Sequence, residues 1–388
     1  MKNIQLLNKI AKVGTDIFDR AEYNVGEDVT NPDAIMVRSA AMHDMQFGEN
    51  LQAIARCGAG VNNIPIDRCS DEGIVVFNTP GANANGVKEL AVAAILLAAR
   101  NIVGGIDWAK TLADDPDAAK TVEKGKSKFA GGEIAGKTLG VIGLGAIGGM
   151  VANTATHLGM KVVGCDPYLT VEAAWNISRH VSKVATFEDV YKTADYITLH
   201  VPATAETKNM INKESLALMK DGVKIINLSR ADLVNAADLK EAIAAGKVSA
   251  YVTDFPTPEV IGEDKIVAIP HLGASTEESE DNCAVMAARQ LDDFMKYGNI
   301  KNSVNFPNVI VPFVPGTKRL CAMHKNIPTV LTQISGVVSE QGLNIENLVN
   351  RSKGNNAYTL VETTGDFAED TIAKLNAIDG MIKVRVIG

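Results

Sequence analysis

TLGVIGLGAIGGMVANTATHLGMKVVGCDPY, residues Thr138 to Tyr168, decides the fold. The apolar run LGVIG reads as a buried strand, glycines follow at 143, 145 and 148, a helical stretch comes next, and a second apolar run ends on Asp166. Gly143 permits a tight turn, Gly145 lets the backbone approach a pyrophosphate, and Gly148 lets the helix pack on the strand. A diphosphate then meets the first helical turn, where Ala146 and Ile147 stand. Asp166 lies at the spacing, about 20 residues on, of an acid that accepts ribose hydroxyls. A glycine-rich turn alone explains neither that acid nor the strands on both sides. The charge of Asp166 repels a 2′-phosphate, and Pro167, Tyr168 and Leu169 supply no arginine to receive one, so the expected cofactor is NAD rather than NADP.

The remaining composition bounds the possibilities. A chain of 388 residues is long enough for two or three domains. A net charge of −8 and a pI of about 5.4 speak against nucleic acid and against anionic membrane as partners. The longest uncharged apolar run, Leu90 to Ala99, is too short to span a bilayer and reads as a buried helix. The opening MKNIQLLNKI lacks the features of a secretory signal, which sets a cytoplasmic expectation. Cys57, Cys69, Cys165, Cys283 and Cys321 are scattered, without the spacing of a disulfide framework or a zinc site, and no metal is expected.

Along the chain, IQLLNKI, AIMVRS, LQAIARCGAG and IVVFNTP read as strands of a first α/β layer. Residues 107–132, rich in Lys, Asp and Gly, read as a surface loop with helical pieces. After the dinucleotide unit, the alternation continues through YITLHVP, VKIINLSR, VSAYVTDFP and KIVAIPHLGAS. Open α/β sheets bind ligands at the carboxyl ends of such strands. A helix over Glu277–Tyr297 leads into NSVNFPNVIVPFVPG, whose three prolines suggest a linker, and the last 70 or so residues follow the order βαββαβ of a ferredoxin-like domain.

Five motifs in order then carry a family resemblance: RCGAGVNNI (56–64), FNTPGAN (77–83), GLGAIG (143–148), NLSRADLV (227–234) and IPHLGASTEES (269–279). The chain resembles the D-isomer-specific 2-hydroxyacid dehydrogenase family, followed by an ACT domain. The resemblance implies two Rossmann-like doubly wound α/β domains, one discontinuous, plus the C-terminal ACT domain. The expected divisions are residues 1–93 and 273–304 for the substrate domain, 94–272 for the NAD domain, 305–316 for a linker and 317–388 for the ACT domain. The family's active site lies in the cleft between the first two.

Oxidising a secondary alcohol requires a base for the hydroxyl proton and a clamp for the neighbouring carboxylate. His271, just past a strand, suits the first task because imidazole exchanges protons near neutrality, although a lone histidine is more often structural. Arg230, at the end of KIINLS, suits the second with its fixed fork of donors. The family's third residue is a glutamate that holds the imidazole. Glu259 is the choice here, with Asp254 the fallback, because DFPTPEV departs from the usual pattern and the alignment is ambiguous by one residue. The resemblance otherwise places Asp254 by the nicotinamide, with Pro202, Ser229 and Gly273 as further cofactor contacts. Ala146 stands where the family often carries Arg.

A phosphorylated substrate needs a second anion site, for which Arg38 with Ser39 and Lys126 are the candidates. Asn83 and the amides of Gly58 to Gly60 match the family's substrate-carboxylate region. His324, Asn326 and Asn344 match positions used for serine in regulated relatives, but Pro328-Thr329 replaces the usual Pro-Gly, and Thr adopts a positive φ only at a cost. The implied activity is NAD-dependent oxidation of 3-phospho-D-glycerate to 3-phosphohydroxypyruvate, at the head of serine biosynthesis, by a homodimer or homotetramer. The alternatives are a dehydrogenase of glyoxylate, hydroxypyruvate or a related D-2-hydroxy acid, and, outside enzymes, an NAD-sensing corepressor-like protein.

Overall fold

Short apolar runs such as AIMV, buried on both faces, satisfy a parallel sheet covered by helices. In the computed structural model, which describes residues 1–388, the chain divides into two units, Met1–Asn83 with Glu280–Gly388, and Ala84–Ser279.

The first unit begins β1 (Lys2–Leu7), α1 (Lys12–Thr15), β2 (Tyr23–Gly26), β3 (Ala34–Val37), β4 (Ala53–Arg56), α2 (Ile66–Asp71) and β5 (Val75–Phe77). Its strands form a parallel sheet in the order β2-β1-β3-β4-β5. Side chains alternate across it as a pleat requires: Ile35, Val37, Ile54 and Val76 enter one core, and Ala34, Met36, Ala55 and Phe77 the other.

The second unit contains α3 (Ala84–Ala99), α4 (Ile102–Lys110), α5 (Ala118–Gly125), β6 (Thr138–Ile142), α6 (Ala146–His157), β7 (Lys161–Cys165), α7 (Val171–Ala174) and β8 (Val181–Lys183). It continues with α8 (Phe187–Thr193), β9 (Tyr196–Leu199), α9 (Lys213–Leu218), β10 (Val223–Asn227), α10 (Ala236–Ala244), β11 (Val248–Thr253) and β12 (Ile266–Ala268). The sheet is parallel throughout, in the order β12-β11-β10-β9-β6-β7-β8. The strand order reverses direction at β6 and β9, the switch point where doubly wound sheets open a ligand crevice. The expected boundary at 93/94 falls inside α3, because Ala91, Ala94, Ile95 and Ala98 of one continuous helix pack with Leu139, Val141 and Val151.

The chain then returns to the first unit through α11 (Glu277–Tyr297), β13 (Lys318–Lys325), α12 (Val330–Glu340), β14 (Ile345–Lys353), β15 (Asn356–Thr363), α13 (Glu369–Asn376) and β16 (Met381–Ile387). These last strands form the βαββαβ antiparallel sheet, in the order β14-β15-β13-β16. Leu320, Ala322 and Val361 pack beneath Val330, Ile334, Val338 and Leu375 of the two helices. Cys321, Met323, Tyr358 and Leu360, on the opposite face, share one core with Phe77, Phe294 and Met295.

The C-terminal sheet is therefore not an independent body behind a linker. Phe306, Val309 and Val311, within the expected linker, are buried in that shared core, so the prolines interrupt regular structure without freeing the chain. The sheet is also tied polarly: the Tyr358 hydroxyl donates to the Gly298 carbonyl at 2.6 Å, and Arg385 donates to the Phe294 carbonyl at 2.6 Å. Arg319, fully buried, donates to Glu362 at 2.6 Å and to the carbonyls of Tyr297, Val311 and Pro312. Removing one partner of a buried pair leaves an uncompensated charge. Arg319→Leu should therefore lower the unfolding free energy by about 3–5 kcal/mol in urea titrations, and the double variant Arg319→Leu/Glu362→Leu should recover much of the loss.

Candidate active site

The dinucleotide turn is built by backbone exclusion. Gly143 has φ 87°, and a Cβ there would meet the His200 carbonyl oxygen at 2.4 Å. A Cβ on Gly148 would stand 1.9 Å from the Gly143 carbonyl oxygen, so α6 packs against the β6 turn only with glycine at that position. Gly145 faces open space with no atom within 4 Å of a Cβ, and as N-cap of α6 it supplies no side chain to satisfy the first-turn amides. Asp166 holds the rim: one carboxylate oxygen accepts from the Leu144 amide at 2.9 Å and the other from the Tyr168 amide at 2.9 Å. Each oxygen retains acceptor capacity for a ribose hydroxyl.

The other candidates of this unit stand on loops after successive strands of the same sheet. Pro202 follows β9, and its carbonyl accepts from the Thr207 hydroxyl at 2.6 Å. Ser229 follows β10 and donates to the Leu199 carbonyl at 2.6 Å. Buried Asn227 braces that turn, its carboxamide donating to the Arg230 carbonyl at 2.8 Å and accepting from the Ser229 amide at 3.2 Å. The Arg230 side chain is exposed, donates to the Ser229 carbonyl, and lies 6.0 Å from the Phe255 ring centre. His271, exposed beyond β12, packs at a 46° tilt against the same ring, with centroids 4.6 Å apart. Phe255 thus separates and orients the two candidate reactive groups.

Asp254 lies beneath them, only 1 % exposed. Its Oδ2 accepts from the Gly273 amide at 3.1 Å, while Oδ1 is buried without a partner. Burial pushes its carboxyl pKa up, opposed by the Gly273 amide and by the charges of His271 and Arg230. Glu259, expected to hold the imidazole, is exposed on a turn, and the Thr257 hydroxyl holds its pKa down. No hydrogen bond joins it to His271, and it lines a groove with Asp232 and Val260 instead. Lys126 pairs with Glu123 on the exposed end of α5.

In the first unit, Arg38 follows β3 and pairs with Glu280 at 2.6 Å. Arg56, at the end of β4, donates through Nε to the Arg38 carbonyl at 3.1 Å, and its guanidinium covers Gly58, whose φ is 152°. A Cβ on Gly58 would clash with that guanidinium, and Gly60 is open. Asn8 accepts from the amides of Ser39 and Ala40, fixing the turn after β3. Asn83 is half-buried just before α3. Arg56 was missed as a site residue although it lies within the quoted RCGAG motif. Its position beside a glycine at a strand's carboxyl end was the available signal.

The three effector candidates have separate local partners. His324, 3 % exposed, has its Nε2 with the Thr359 hydroxyl at 2.8 Å and its Nδ1 with the Lys325 carbonyl at 2.9 Å. Asn326 donates to the Gly354 carbonyl at 3.3 Å, and Asn344 to Glu346 at 2.8 Å. Thr329 takes the left-handed conformation, φ 74°, that its sequence position anticipates.

These are the features of an NAD-binding α/β domain joined to a second α/β unit. Residues 92–275 match the family model described as D-isomer specific 2-hydroxyacid dehydrogenase, NAD binding domain. The chain is 33 % identical to D-3-phosphoglycerate dehydrogenase of Synechocystis sp. over 87 % of its own length and 62 % of that relative's. It is 32 % identical to D-3-phosphoglycerate dehydrogenase of Haemophilus influenzae, over 84 % of this chain and 79 % of that one. Among solved structures, NAD-bound 3-phosphoglycerate dehydrogenase of Entamoeba histolytica superposes with TM-score 0.61 at 28 % identity, covering 78 % of this chain and 98 % of that one. The chain belongs to the D-isomer specific 2-hydroxyacid dehydrogenase family.

The residues present fit NAD: an open Gly145, unfilled first-turn amides, a rim acid, and the orphaned Asp254 Oδ1, an acceptor suited to a carboxamide N–H. Gly145→Ala, with space for its methyl, should leave the melting temperature nearly unchanged yet weaken NADH binding about tenfold or more in a fluorescence titration. Gly148→Ala should lose stability as well, because its methyl meets backbone. Asp254 tests the pH dependence of the free protein. Its raised folded-state pKa means that ionisation opposes folding, so Asp254→Asn should melt higher than the parent at pH 8, the gap closing as pH falls through that pKa.

Proposed function

We propose that this chain oxidises 3-phospho-D-glycerate to 3-phosphohydroxypyruvate with NAD, as its relatives' names suggest. The observation that carries the phosphorylated substrate is the adjacency of Arg38 and Arg56 at neighbouring strand ends beside the open Gly58–Gly60 loop. Two guanidiniums there suit a dianion, while the loop amides and Asn83 suit a carboxylate. In the second unit, the fixed fork of Arg230 suits a carboxylate and polarises an adjacent carbonyl oxygen. A ring nitrogen of His271 takes the proton from the C2 hydroxyl as the C2–H bond breaks, leaving the ketone. NAD, when bound, supplies the hydride acceptor. Phe255 keeps the imidazole and guanidinium at fixed separation.

The carboxylate that tunes His271 is Glu259 by resemblance and Asp254 by electrostatic proximity. Lys126 is proposed as an additional cation for the phosphate. The C-terminal unit is read as an ACT-type domain with His324, Asn326 and Asn344 around an amino-acid effector such as L-serine, in a cytoplasmic homodimer or homotetramer. The ion pair of Arg38 with Glu280 favours a second reading, in which the substrate is an unphosphorylated 2-oxo acid and Arg38 is structural.

Protein mixed with NAD and either 3-phosphoglycerate or glycerate at alkaline pH distinguishes them by NADH absorbance. The expected result is turnover of the phosphorylated acid, with Arg56→Gln raising its KM about tenfold or more and His271→Asn lowering kcat about 10²–10⁴-fold. Turnover of glycerate alone, or reduction of glyoxylate alone, selects the second reading.

A further inference from the structure

The chain carries a net charge of −8, so a place where unpaired cations collect around a concavity stands out against an acidic surface. Three exposed cations gather around Asn302, and the side chains of Arg289, Lys301 and Arg351 make no ion pair or hydrogen bond. They line two adjoining clefts of about 560 and 580 Å³ that share Asn302. The first has Val285 and Met286 in its floor, with Asp293 its one acid, and the second brings Arg351 on the β14–β15 hairpin against the Asn78–Pro80 turn, with Asn308 on its rim and no acid. Lys353 in the second cleft is already committed to the Ser303 carbonyl at 2.9 Å. Unpaired guanidiniums with amide side chains around a partly apolar floor are groups that recognise acidic ligands.

The clefts are wired to the loop proposed to hold the substrate carboxylate. Asn302 donates through Nδ2 to Gln290 at 2.7 Å, and Gln290, 7 % exposed, donates to the Asn78 carbonyl at 3.0 Å. The Asn78 amide donates to the Asn302 carbonyl at 3.3 Å, closing the ring. The Asn78 side chain then donates to the Ala59 carbonyl at 2.7 Å, and the neighbouring Thr79 amide to the Gly58 carbonyl at 3.0 Å. These bonds hold two successive loop carbonyls, and hence set where the loop amides point.

We propose that the paired clefts around Asn302 bind a small polyanion, and that this ligand alters substrate affinity through Gln290, Asn78 and the Gly58–Gly60 loop. The regulatory half of this proposal rests on the substrate reading above, and the binding half does not. Ligands with carboxylates and with phosphoryl groups share the required chemistry, so citrate and pyrophosphate are titrated separately into the full chain by calorimetry. At least one should bind with unit stoichiometry to the parent and to Arg38→Gln, and at least about tenfold more weakly to Arg351→Gln and Arg289→Gln. Binding only with citrate assigns a carboxylate ligand, and only with pyrophosphate a phosphoryl one. Absence of heat with both, equal affinity in the cleft variants, or loss in Arg38→Gln alone overturns the site. In rate assays the bound anion should change the hydroxy-acid KM of the parent and leave that of Arg351→Gln unmoved, and an unchanged KM in both overturns the coupling. If no hydroxy acid turns over, the calorimetry still decides the site.

Discussion

The carbonyl of Gly143 and the backbone of Gly148 approach so closely that not even a methyl group fits between them. That contact sets α6 tightly against the turn after β6 and places its uncapped end at the switch point of the seven-stranded sheet. The rest of the second unit is arranged around this placement. Because every strand is parallel, the turns after β6, β7, β9, β10, β11 and β12 emerge at one edge, and each carries one of the candidate groups. Direction of chain travel, more than any pair of contacting side chains, gathers Asp166, Arg230, Asp254 and His271 there.

Within that edge, rigidity comes from buried polar groups. Asn227 satisfies three backbone groups around Arg230 and leaves the guanidinium free to reach outward. Asp254 pins Gly273 while keeping an unsatisfied oxygen, a cost of about 1–3 kcal/mol for a buried acceptor that a bound carboxamide would relieve. His200 is a comparable case under the glycine turn: Thr198 meets Nε2 at 2.9 Å, Nδ1 is buried without a partner, and burial pushes its pKa down to about 4.

The dinucleotide unit was legible because its demands are local: glycine where a Cβ cannot fit, an acid after the second strand, alternation between strand and helix. The βαββαβ order at the C-terminus was legible for the same reason. Its docking was not, since Cys321, Met323, Tyr358 and Leu360 read as strand residues whichever surface they cover. The segment around Phe306 to Val311 misled because prolines report broken hydrogen bonding and say nothing of burial. β2, YNVG, escaped notice because it is a short edge strand with little apolar content. At the site, residue types and strand ends pointed to Arg230 and His271. The bracing groups Asn227, Phe255 and Asn78 act through orientation, which leaves no chemical signature in the sequence.

The shared core of the first unit has a consequence for how the chain is made. Its first sheet comes from the opening 83 residues, but Phe294, Tyr358 and Leu360, which cover that sheet's inner face, are synthesised after the whole second unit. The middle of the chain, Ala84–Ser279, holds its own sheet and cores. Strands β1 to β5 are made well before the residues that bury their inner face, which stays uncovered until α11, β13 and β15 are available.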